Sequence, residues 1–157
     1  MTRGRDFTAA TTPRQRVEAA CVQRGRSAVT AGCARLLCND DDPDHGLLIM
    51  LGGPHAESVL ALADEERGVH RYWFRVWAAR GLLWALDDQL APGDVVNALR
   101  SGLGDPAWRV REMCARVIAR HAVGDLFGAV AALHDDPVAR VRTAADRAVE
   151  ALSRRDA

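Results

Sequence analysis

Residues 105–111 read Asp105-Pro106-Ala107-Trp108-Arg109-Val110-Arg111, and residues 136–142 read Asp136-Pro137-Val138-Ala139-Arg140-Val141-Arg142. The two stretches agree at five of seven positions, 31 residues apart. The apolar pattern continues in register beyond them. Val110, Met113, Cys114, Val117 and Ile118 stand opposite Val141, Ala144, Ala145, Ala148 and Val149. Each set recurs at i, i+3, i+4, i+7 and i+8, which is one narrow apolar stripe on a helix of 3.6 residues per turn. The next slot holds His121 in the first copy and Leu152 in the second. A shorter apolar-periodic segment precedes each copy, Val95-Val96 with Ala98-Leu99 before the first and Leu126, Val130 and Leu133 before the second. The unit is therefore a pair of helices, repeated. A pair with one buried stripe is stable only when stacked on its neighbours.

Helix punctuation extends this reading outward. Thr12-Pro13, Asp42-Pro43, Asp105-Pro106 and Asp136-Pro137 each put a capping oxygen before a proline. Proline at the first helical position sacrifices no hydrogen bond. Asp94 and Asp125 are further N-cap candidates, and Gly52-Gly53-Pro54 breaks the chain. The pattern predicts about nine helices, near 13–24, 27–38, 43–51, 54–64, 70–87, 94–101, 106–121, 125–134 and 137–153, with no strand. The connections are short, so successive helices are expected to pack as antiparallel neighbours. The expected organisation is a flexible N-terminus over 1–12 and one domain over 13–157, with clear repeats over 94–153 and a degenerate one over 54–93.

Composition sets the outer bounds. The chain has 157 residues, 48% hydrophobic and 27% charged, a globular balance. Every basic residue is arginine, and 21 of them balance 21 acids to a net charge of zero, so no global field draws the chain towards nucleic acid or anionic lipid. The distribution is uneven: residues 1–40 carry seven arginines and three acids, residues 41–68 one and seven. No stretch reaches the roughly 18 apolar residues of a membrane span, and no apolar signal core follows Met1, so a cytosolic protein away from membranes is expected. Cys21, Cys33, Cys38 and Cys114 form no Cys-x-x-Cys pair and are expected to be free thiols, mostly buried.

A leucine-bearing helix, an Asp-Pro turn and then Val-Arg before small apolar residues resembles the HEAT repeat. The spacing is closest to the short bacterial HEAT-like repeats of the phycobilisome-lyase type. That resemblance covers 94–153. Residues 70–93 fit more loosely, with Trp73 opposite Trp108 at a 35-residue offset, which puts Arg75 opposite Val110. It implies an all-α solenoid of antiparallel helix pairs. It also implies structural roles for Asp105, Pro106, Val110, Arg111, Asp136, Pro137, Val141 and Arg142, the arginines bonding an aspartate near the turn.

Segment 70–87 is the strongest functional candidate. It holds Trp73, Trp77 and Trp84, with the one tyrosine, Tyr72, and Arg71 and Arg75 among them. Tryptophan and arginine dominate interaction hot spots, yet a central helix buried on both sides would also be apolar nearly all round. Trp73 and Trp108 are expected at the surface, Trp77 and Trp84 in the core. Gly81 within this helix suggests close approach by a neighbour. Arg109, Arg116 and Arg120 share the face opposite Val110, where Glu112 sits one turn before Arg116 and is expected to pair with it. The five histidines are scattered, Asp40-Asp41-Asp42 leads into a proline-initiated helix, and no phosphate loop or nucleophile motif is present.

No metal or cofactor is implied. Solenoids offer an extended concave surface that needs no reactive group, so the leading expectation is a non-catalytic scaffold or adaptor whose partner is another protein. Trp73, Arg71, Arg75, Trp108, Arg109 and Arg116 are its candidate contact residues. The alternative implied by the resemblance is nucleic-acid binding or base repair, since one group of DNA glycosylases uses HEAT-like repeats with arginine-lined concave faces. A bilin-lyase-like enzyme rests on repeat type alone. A continuous positive groove would favour the second reading, a mixed apolar patch the first.

Overall fold

A computed structural model describes residues 11–39, 41–87 and 91–156, and every regular element among them is helical. Helices α1 (Pro13–Arg24), α2 (Arg26–Leu37), α3 (His45–Gly52), α4 (Pro54–Leu60) and α5 (Asp64–His70) are followed by α6 (Tyr72–Ala85), α7 (Gly93–Leu103), α8 (Trp108–His121), α9 (Phe127–Ala131) and α10 (Ala139–Arg155). Two 3-10 turns, Gly124–Leu126 and Ala132–Asp135, flank α9. Ten α-helices thus stand where nine were expected. The stretch expected as one helix over 54–64 ends at Leu60, and Asp64-Glu65-Glu66 opens a separate helix whose first-turn acids suit the positive end of its dipole. The expected flexible segment 1–12 lies outside the described residues as far as Ala10, and Thr12 is fixed as a cap.

Only the first Pro-flanked cap is built as expected. Thr12 Oγ1 accepts from the Gln15 amide at 3.2 Å, and the Thr12 amide donates to Gln15 Oε1 at 2.9 Å, closing a capping box over Pro13. At Asp42-Pro43 the cap shifts to Asp44, which accepts from the Leu47 amide at 2.9 Å. Pro92 and Val123, not Asp94 and Asp125, precede their helical segments. At the two diagnostic turns the helices begin later than expected, at Trp108 and Ala139. Asp105 and Asp136 instead fold back on the residue two positions ahead, accepting from the Ala107 and Val138 amides at 2.8 and 2.9 Å.

The reason is that each carboxylate is gripped by an arginine of an earlier helix, Asp105 by Arg75 of α6 and Asp136 by Arg111 of α8. Arg111 donates from Nε and Nη2 to both oxygens of Asp136, at 2.8 and 3.1 Å, while its Nη1 donates to the Asp105 carbonyl at 2.8 Å. Arg75 makes the same two-pronged bond to Asp105. Arg142 repeats the backbone half of the pattern, its Nη1 donating to the Asp136 carbonyl at 2.6 Å. A forked guanidinium meeting both oxygens of a buried carboxylate fixes orientation as well as charge.

This pairing changes the register expected between the helices that carry Trp73 and Trp108. Arg75 corresponds to Arg111, an offset of 36 residues rather than 35. Phe74, Ala78 and Leu82 then stand opposite Val110, Cys114 and Ile118, and all six are buried. Trp73 consequently stands opposite Arg109, not Trp108.

The core runs continuously from Val17 in α1 to Leu152 in α10. Helix α6 packs against α1, α2, α3 and α8, and α8 lies against α6, α7 and α10. Val110 and Val141 are fully buried. Gly81 marks a close approach, as expected. A Cβ there would lie 2.7 Å from Cys33 Sγ, and one at Gly102 would lie 2.4 Å from Cys114 Sγ. Cys33 and Cys114 are buried, Cys21 is half-buried and Cys38 is exposed, all as free thiols. Arg16 and Arg80 both reach the Leu51 carbonyl at 3.4 Å, placing two cations at the negative end of α3. Among the described residues no helix is long and apolar enough to cross a membrane.

Candidate interaction groove

Helices α6, α8 and α10 lie in sequence, with α8 between the other two. Residues four and seven apart share a helix face, so Glu112, Arg116, Ala119 and Arg120 of α8 point the same way, as do Ala139, Arg140, Thr143, Ala144 and Arg147 of α10. With Leu83 and Trp84 of α6 they line a groove of about 910 Å³. Leu83 and Ala144 are buried and Trp84 is half-buried, forming an apolar floor, while the four arginines are exposed and form the rim.

The charges in this groove are not internally balanced. Glu112, expected to pair with Arg116 along its own helix, instead meets Arg140 of the next helix at 3.2 Å. Cross-helix packing brings Arg140 to it from above the Trp108 ring, so Arg116 loses its expected partner. Arg116, Arg120 and Arg147 have no hydrogen-bond or ion-pair partner among the described residues.

Beside the groove runs a row of stacked aromatic rings and guanidinium planes. His55 of α4 meets Trp73 edge-on at 4.9 Å between centroids, and Trp73 also stacks on Trp77 at 6.2 Å. Arg109 lies over both Trp73 and Trp108, 5.5 and 4.4 Å from their centroids, and Arg140 lies 5.5 Å over Trp108. Such contacts hold the planar cations in fixed poses. Burial, then the charges of His70 and Arg80, push the His55 imidazole below its ordinary range.

The expected contact residues therefore separate. Trp73, Trp108 and Arg109 come together in the stacked row, and Arg116 lies in the groove. Arg75 is instead engaged by Asp105 and by Asn39, the latter at 3.3 Å, in a structural role. Arg71 is the N-cap residue of α6 and does not line the groove. Trp77 is buried as expected, at 2% exposure. Trp84, expected in the core, is half-buried: it packs against the core and also lines the groove.

Arg140, Arg147 and Trp84 were not among the expected contacts, and Arg120 was expected only on the arginine-bearing face of α8 with Arg109 and Arg116. The signal for two of them was present: shifting Arg109 and Arg116 by the same 31 residues that relate the repeats gives Arg140 and Arg147. Near Trp84, His121 Nε2 donates to the Leu83 carbonyl at 2.9 Å, which fixes the tautomer, and buried Nδ1 has no partner. Among the described residues no three His, Cys, Asp or Glu side chains gather as a metal site. Set against family models, curated proteins and solved structures, the chain has no match.

Proposed function

We propose that this chain is a non-catalytic protein–protein interaction module, a scaffold or adaptor built on HEAT-like repeats stacked as an α-solenoid. Support for the repeat reading comes from the arginine-to-aspartate clasp, which recurs from Arg75 to Asp105 and from Arg111 to Asp136. The observation that carries the functional reading is the groove itself, with an apolar floor at Leu83 and Trp84 beside Arg116, Arg120 and Arg147, which have no counter-charge among the described residues. Half-exposed tryptophan beside fixed arginine combines desolvatable area with directional donors, the composition of binding hot spots.

Photo-crosslinking from within the groove tests this. A benzophenone side chain at Thr143 should capture a discrete partner protein from the native cell extract, and Trp84→Ala should abolish the capture. The same group at Val22, exposed at 89% and away from the groove, should capture nothing comparable. Equal labelling from both positions would refute the assignment. Trp108→Ala should weaken capture while leaving the fold intact, whereas Trp73→Ala, which removes a half-buried ring packed on Trp77 and the core, should also lower stability.

The four groove arginines also favour a second reading, nucleic-acid binding of the HEAT-like glycosylase kind. Zero net charge, Glu112 within the groove and an apolar floor argue against it. Fluorescence anisotropy with duplex DNA decides: sub-micromolar binding at about 150 mM salt, above ordinary non-specific affinity, would make the second reading the better one.

A further inference from the structure

We infer that the groove along α6, α8 and α10 takes an acidic partner segment, with carboxylates on Arg116, Arg120 and Arg147 and one apolar side chain seated on Leu83 and Trp84. This rests on the protein-interaction reading and adds the chemistry of the partner.

Charge complementarity is the first argument. Of the groove's ionic side chains, Arg140 and Glu112 neutralise each other at 3.2 Å, and the three remaining arginines have no counter-charge among the described residues. Arg116, Arg120 and Arg147 therefore present three unmatched positive charges to one occupant. Spacing is the second. Arg116 and Arg120 are one turn apart on α8, about 6 Å along its axis, with Arg147 across the groove on α10. A helical segment with glutamates at i and i+4 presents two carboxylates at the α8 interval, and a further glutamate at i+7 on the same face is left for Arg147.

The floor separates an acidic polypeptide from a nucleic acid backbone. Leu83 and Ala144, each 6% exposed, close the bottom of the groove, and half-buried Trp84 supplies the apolar area that gains by desolvation against an aliphatic side chain. A row of phosphates has no such group. Pre-organisation adds to this: Arg140, held between Trp108 and Glu112, walls one side of the groove in a fixed pose, so less side-chain freedom is lost on binding.

The test uses the full chain and a fluorescein-labelled helical peptide of about 15 residues, long enough for a helix of a few turns, with glutamate at i, i+4 and i+7 and leucine between. Its controls are the same peptide with lysine for glutamate and a single-stranded DNA of equal charge. The acidic peptide should bind and weaken as salt rises. The triple variant Arg116→Glu, Arg120→Glu, Arg147→Glu should lower affinity by at least about tenfold, as like charges now oppose the peptide. Its thermal melt should match the parent's, because the three side chains are exposed and hold nothing in the fold. Alanine in place of the central leucine should also weaken binding.

Undiminished binding of the acidic peptide to the triple variant would overturn the inference, as would equal binding of the lysine peptide. Displacement of the peptide by DNA at lower concentration would assign the groove to nucleic acid. Partner capture at Thr143 that survives the triple charge reversal would retain the interaction module and remove only the acidic segment.

Discussion

Replacing Arg111 by methionine should destabilise the protein by about 3–5 kcal/mol, because it removes one partner of a buried ion pair and leaves the other in place. An exposed pair would contribute at most about 1 kcal/mol. Here the side chains are only 13% and 4% exposed, so the buried case applies. After the substitution the Asp136 carboxylate keeps the Val138 amide at 2.9 Å and loses both guanidinium bonds. At roughly 2–4 °C per kcal/mol for a chain of this size, the Tm should fall by about 6–20 °C. The pH dependence carries a second signature. Burial raises the Asp136 pKa, but hydrogen bonds from Arg111 and the Val138 amide, and the charges of Arg111 and Arg142, bring it below its ordinary value. A carboxyl depressed in the folded state contributes stability above its unfolded pKa of about 4 and loses it as pH falls through the folded value. The parent should therefore lose stability on acidification below about pH 4. Arg111→Met should lose less over that range, since protonating its stranded carboxylate is favourable. Adding Asp136→Asn should recover part of the loss, and the double-mutant cycle measures the coupling. Thermal melts from pH 3 to 8 provide the assay. A variant melting within about 2 °C of the parent at neutral pH, less than 1 kcal/mol by the same scale, would refute the clasp as a structural element.

Val110→Asp and Val141→Asp should each destabilise severely, by more than about 3 kcal/mol, since each buries an unpaired carboxylate in a fully enclosed position; melts unchanged from the parent would make the stripe wrong. Gly81→Ala should cost about 1–3 kcal/mol by overpacking, because the added methyl meets Cys33 Sγ at 2.7 Å. Pairing it with Cys33→Ala should cost less than the two changes summed, as denaturant titration would show. Burial pushes the Cys33 thiol up to about 12, and raises Cys114 as well, so at pH 8 a disulfide reagent should label exposed Cys38 and half-buried Cys21 in the native protein. Rapid labelling of all four would mean that the α2–α6 and α7–α8 seams are open.

The helical class, the places of the two diagnostic turns and the buried stripe were legible because they depend on spacing within one segment. Val110 and Ile118 are eight residues apart, and a period of 3.6 places them on one face whatever surrounds them. The close approach at Gly81 was legible for a similar reason, since glycine inside a helix is costly unless something presses against it. Only the tertiary structure decided which partner each charged side chain chose. Glu112 could reach Arg116 along its own helix, and the sequence favoured that pairing, but the packing of α10 on α8 offered Arg140, already stacked on Trp108. Arg75 had the composition of a surface contact and became a clasp because α8 starts where its Asp105 turn meets α6. Trp84 had the composition of a core residue and remained half-exposed because it lines the groove between α6, α8 and α10. Periodicity is a property of one helix and can be read from one helix. An ion pair or a groove depends on distances between helices, and those are set by how several stripes pack together.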